Sequence, residues 1–140
     1  MTSQIDVVTQ DLVDTVKAVA SFSNRVGLAV GGQEIDPINR DLTRPAAWVI
    51  YIGDDFVSGN TMNPCNTLIK LNFIVKILID YDSEANLIST HLPLLHEVVQ
   101  AVQGGEPAPG SKWLYEGQGL EALEPDRMVW NQQYSIQLGI

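Results

Sequence analysis

Between Leu68 and Tyr81 one alternating set of side chains, Ile69, Leu71, Phe73, Val75, Ile77, Ile79 and Tyr81, is apolar without interruption. Apolar residues two apart lie on one side of an extended chain, so this is a strand period and not a helical one. The other set, Leu68, Lys70, Asn72, Ile74, Lys76, Leu78 and Asp80, mixes polar and apolar side chains. One face is therefore expected to be buried and the opposite face partly wet, as in antiparallel sheets. At about 3.3 Å per residue such a strand spans roughly 45 Å, well past the usual extent. A small domain does not easily cover both ends, so part of the strand is expected to lean on another copy.

The rest of the chain predicts helices and strands around it. From Ser3 to about Ser21, Ile5, Val8, Leu12, Val16 and Val19 recur at steps of three and four, an amphipathic helix. Thr2 or Ser3 is placed to cap it, and Asp6 lies in the first turn, where the helix dipole favours an anion. Arg25 to Val30 is a short strand ended by Gly31 and Gly32, and GQEIDPINRDLTRP is a polar surface loop. Ala46 to Ile52 is nearly all apolar and predicts a central strand. Asp54 to Asn66 reads as an extended hairpin tip or arm, too long for a tight turn. Phe56 and Val57 within it serve local packing or contact another protein.

Beyond Tyr81, DSEANLIST reads as an acidic turn before a helix from Leu92 to Gln103, with Pro93 tolerated in its first turn. Gly104 and Gly105 end that helix. Lys112 to Gly119 predicts a strand with Trp113, Tyr115 and Gly117 on one face and Leu114, Glu116 and Gln118 on the other. A turn follows, and the last strand begins at Arg127. In it Met128, Trp130, Tyr134, Ile136 and Leu138 share a face interrupted by Gln132, while Val129, Asn131, Gln133, Ser135 and Gln137 make a polar opposite face fit for the exterior or a neighbour. The expected fold is one α+β domain over residues 1–140: a mixed or mainly antiparallel sheet of about five strands, with two helices packed on one face.

Composition narrows what such a domain does. Seventeen acidic against eight basic residues give a net charge of −9, which argues against a protein that grips DNA through a broad basic surface. No segment reaches the ~20 apolar residues of a membrane span, and the acidic amino terminus is unlike a signal peptide. The lone Cys65 allows neither an internal disulfide nor a cysteine zinc site. His91 and His96 are too far around a helix to share a metal. Neither GLAVGG nor GEPAPGSK has phosphate-loop spacing. The pairs Asp54 with Asp55 and Glu121 with Glu124 fall in expected loops without a histidine or lysine partner near them in sequence. No catalytic residue, cofactor or metal is expected. Trp48, Trp113 and Trp130 read as core or interface anchors.

The amino-terminal helix, PAAWVIYIG, the long NTLIKLNFIVKILID strand, LPLLHEVVQAV and the closing YEGQGLEALEPDRMVWNQQYSIQL together resemble the tail terminator, or tail completion, proteins of long-tailed bacteriophages. The resemblance covers most of the chain and rests on architecture more than on invariant letters. It implies a virion structural protein, assembled in the host cytoplasm, that forms a homohexameric ring on the head-proximal end of the tail. There it caps the tube and joins it to the neck. The implied partners are the tail tube protein, the sheath protein and the neck or connector protein, with genomic DNA passing through the channel and no membrane. Asp54 and Asp55 are then candidates for the channel wall. Phe56, Val57, Trp113, Tyr115, Glu121, Glu124, Asn131 and Gln133 are candidates for partner or oligomer contacts, the loops Asp54 to Asn66 and Gly119 to Asp126 foremost. The alternatives are another neck or tube-completion component of a phage or contractile injection system, or a small α+β ligand-binding domain.

Overall fold

In a computed structural model, residues 4–22, 25–29, 45–60 and 63–139 are described, with backbone alone at 29, 60 and 63–66. The polar loop expected after Gly31 and the capping residues Thr2 and Ser3 lie outside these residues, as does the side chain of Cys65. Helix α1 (Gln4–Lys17) keeps Asp6 in its first turn and buries Val8, Leu12, Val13 and Val16. It ends earlier than the periodicity predicts, and a single 3-10 turn at Ala20–Phe22 carries the chain to the sheet. Strands β1 (Val26–Ala29), β2 (Ala46–Asn60) and β3 (Asn63–Asp80) follow. Helix α2 (Leu92–Val102) precedes β4 (Leu114–Leu123) and β5 (Arg127–Gly139).

The five strands lie in the order β1-β2-β3-β5-β4. All pairs are antiparallel except β1 with β2, so the sheet is mixed, as expected. Both helices cover one face. Residues of α1 and α2 form a single core with Ala47 and Val49 of β2, Leu71, Phe73, Val75, Ile77 and Ile79 of β3, and Met128, Tyr134, Ile136 and Leu138 of β5. The odd-numbered apolar set of β3 is thus the covered face. The mixed set lies on the open face, where the buried side chains are Ala46, Leu78, Val129 and, unusually for a cation, Lys76 at the lower end, with Ser135 higher up.

Several expectations need correction. β3 is longer than the alternation predicts, yet Leu68 to Asp80 all pair with β5 inside the domain, so its pairing needs no second copy. The segment after Ile52 is no loop. β2 runs on to Asn60 and pairs with β3 up to Asn60 with Asn63, so the expected hairpin tip is a two-stranded arm. The polar, turn-forming residues there pair through their backbones while bulges between Tyr51 and Gly53 and beyond Phe56 absorb the irregular pattern. Among the described residues, β2 is central only in its lower half, where β1 pairs with it as far as Ile50.

DSEANLIST is helical and not a turn. Ser83 caps a short helical turn, Glu84–Asn86, by accepting from the amide of Asn86, and a wider π-turn at Leu87–His91 leads into α2. The predicted turn from Gly119 is also mostly strand, since β4 continues to Leu123. Within β4 a bulge between Tyr115 and Gly117, with Gly117 at a φ of 127°, reverses the expected alternation. Tyr115 and Gln118 therefore both share a row with covered-face residues, Tyr134 and Gln132.

Candidate functional site

The interruption at Gln132 marks a polar knot under α2. Its side chain is fully buried. The amide nitrogen donates to the Leu95 carbonyl at 2.8 Å and to Gln118 Oε1 at 3.1 Å, while the Tyr134 hydroxyl donates to its oxygen at 2.7 Å. Both ends of the amide are satisfied, as a buried polar group requires. Burial first, and the nearby Tyr115 second, push the Tyr134 hydroxyl well above the ordinary tyrosine range. The group stays neutral and donates. The knot is structural: Gln132 and Tyr134 are shut off from solvent, and Gln118 is its exposed end.

The open face carries the accessible chemistry. Lys70 pairs with Glu116 at 2.9 Å and Lys76 with Glu121 at 2.9 Å, each tying β3 to β4 across β5. The Ser135 hydroxyl donates to Glu116 at 2.6 Å, and this bond, with Lys70 second, holds the Glu116 carboxyl below its usual value. Glu116, Glu121, Asn131 and Gln133 line a shallow cleft of about 400 Å³ floored by Gly117 and Gly119. A second cleft, about 260 Å³, lies at the upper corner among Lys70, Ser111, Lys112, Leu114, Ser135 and Gln137. Among the described residues no group of three or more His, Cys, Asp or Glu side chains is placed to hold a metal.

The structure separates the sequence-predicted site residues into two groups at opposite edges of the sheet. Asp54, Asp55, Phe56 and Val57 lie together on the upper β2–β3 hairpin. Asp54 accepts from the Tyr51 hydroxyl at 3.1 Å, which together with burial raises the tyrosine pKa, and Asp55 accepts from Asn72 at 3.0 Å. Phe56 is 71% exposed and Val57 is exposed beside it. Glu121, Asn131 and Gln133 meet in the larger cleft on the far side. Glu124 instead turns back onto Arg127 at 2.6 Å and closes the β4–β5 turn.

Trp113 is not at a surface. It is buried, donates its indole N–H to Asp11 at 2.9 Å and packs edge-on against Phe73, so it anchors α1 to the sheet. Tyr115, half-buried, stacks obliquely on Tyr134. Sequence reasoning missed Lys112 and Leu114 as parts of a site; the one signal was Leu114, an apolar side chain on the face expected to be polar.

These features define a class of fold: a five-stranded mixed sheet with helices on one side, an open polar side, and one hairpin drawn out beyond the core. No protein-family model matches the chain, and no curated protein matches it. Among solved structures, a chain of the structure described as the virion of a native gene transfer agent (GTA) particle matches with a TM-score of 0.56. The match covers 90% of each chain at 12% sequence identity. At that identity the likeness is one of fold.

Proposed function

We propose that the protein is a structural component of a phage-like particle, and that within it the chain forms a hexameric ring. The ring caps the head-proximal end of a tail tube, halts its growth and joins it to the neck or connector. The observation that carries this reading is the fold shared, over nine-tenths of both chains, with a chain of a gene transfer agent virion. The molecule's own features fit it. The exposed hairpin and the open polar face lie on one sheet but at different places, so contacts between copies are head-to-tail, and head-to-tail contacts close into a ring or run on as a filament. With a net charge of −9 per copy, the wall of such a ring repels DNA and lets it slide.

The test begins with native mass by light scattering over a concentration series, alone and with polymerising tube protein. The expected species is near 92 kDa, six times the 15.4 kDa of one chain, and its addition arrests tube lengthening. Tubes that lengthen unchanged in its presence overturn the capping reading.

A further inference from the structure

Resting on the ring reading, we propose how neighbouring copies are joined: the upper β2–β3 hairpin of one copy docks in the Lys70–Lys112–Leu114 cleft at the opposite sheet edge of the next, with Asp55 paired to Lys112. Three observations converge on a second copy of this chain as the occupant.

The first is position. β2 above Ile50 and β4 are the two long strands without an outer partner among the described residues, and they bound opposite sides of the same sheet. The second is level and side. Asp55 pairs across the sheet with Lys70, and Lys70 with Gln137. Both Lys70 and Gln137 line the cleft. Asp55 therefore sits in the cross-strand row, and on the face, that lines the cleft of Lys112, so copies set side by side bring the two to one level.

The third is charge. Among the described residues, neither Asp54 nor Asp55 has a cationic partner, and the exposed Lys112 has no carboxylate. The other cations near the open face are taken: Lys70 by Glu116, Lys76 by Glu121 and Arg127 by Glu124.

Strand direction agrees. β2 and β4 run antiparallel within the sheet, since each step between them is an antiparallel pair. A neighbour related by rotation about an axis along the strands therefore lays its hairpin antiparallel to β4. The contact uses a different patch on each partner, which is what ring closure needs. Asp55 is thereby assigned to the joint, and Asp54, in the row of Leu71 on the other face, keeps the channel wall.

The proposal is tested by disulfide trapping in full-length protein with Cys65→Ser. Asp55→Cys combined with Lys112→Cys is expected to give, under mild oxidation, a ladder ending at a hexamer on a non-reducing gel. An equimolar mixture of the two single variants stops at dimers. A hexamer near 92 kDa that yields no cross-link overturns this joint and leaves the ring standing; a monomer at every concentration, with and without tube protein, overturns both. Charge reversal gives an independent reading. Lys112→Glu or Asp55→Lys alone weakens association by about fivefold per interface at low salt, and the two together restore it. Failure of the double variant to recover overturns the pairing.

Discussion

The lower and upper halves of the β2–β3 hairpin are one continuous pair of strands in opposite circumstances. Below, Phe73 has no exposed surface and packs between Tyr51 and Trp113 at ring distances of 5.3 and 5.4 Å. Above, Phe56 is mostly in solvent at a site where the ladder is broken by bulges. Helices α1 and α2 reach the first and not the second. Burial of a phenylalanine stabilises a fold by a few kcal/mol, whereas one left exposed contributes little to it, so the upper half is held by its backbone ladder and is free to present side chains outward. The lower half answers for the monomer, the upper half for what the monomer meets.

Truncating the two phenylalanines breaks this contrast most directly. Phe73→Ala is expected to lose about 3–5 kcal/mol of unfolding free energy in denaturant titrations. Phe56→Ala is expected to stay within about 0.5 kcal/mol of the parent and to shift the monomer–oligomer midpoint upward in light scattering. Equal losses of stability in the two variants would erase the distinction. Next in size is the knot at Gln132. Gln132→Met keeps the volume but strips the buried Tyr134 hydroxyl of its acceptor and the Leu95 carbonyl of its second donor, at about 1–3 kcal/mol by the same titration.

The smallest effect belongs to the open face. The Glu116 carboxyl is held down by Ser135 and then Lys70, so the unfolded chain binds its proton more readily than the folded one. Its contribution to stability is present above the ordinary value of 4.5 and fades as pH falls through the lower folded value. Glu116→Gln is expected to flatten the acid limb of melting temperature against pH between about 3 and 5 while leaving pH 7 to 8 parallel to the parent. An unchanged acid limb would place the dependence elsewhere.

Long-range pattern was the part of this fold most open to reading. The apolar alternation of β3 and β5 and the apolar spacing of α1 mark most of the core, although Tyr81 is exposed beyond the end of β3 and Val13 and Leu94 are buried outside the expected sets. What escaped were segments whose local chemistry points one way and whose tertiary setting imposes another. Gly53 to Asn60 has a loop's composition, yet it is strand because β3 continues alongside and supplies a ladder. Gly119 to Leu123 is drawn into β4 in the same way by β5. Trp113 looked like an interface anchor because nothing in its neighbourhood reveals that Asp11, at the far end of the chain, lies against its indole. The hairpin residues were legible as an outward patch. The cleft proposed to receive them was not, because Lys70, Lys112 and Gln137 are gathered only by the strand order.

Among the described residues, the two long strands without an outer partner, upper β2 and β4, are both kinked. β2 changes register three times above Tyr51, and β4 changes it twice. A straight edge of this length offers evenly spaced amides to any extended chain; a kinked one interrupts that template and resists random strand addition. The same irregularity acts as a selector. Only a surface shaped to the kinks gains the full set of contacts such an edge can offer.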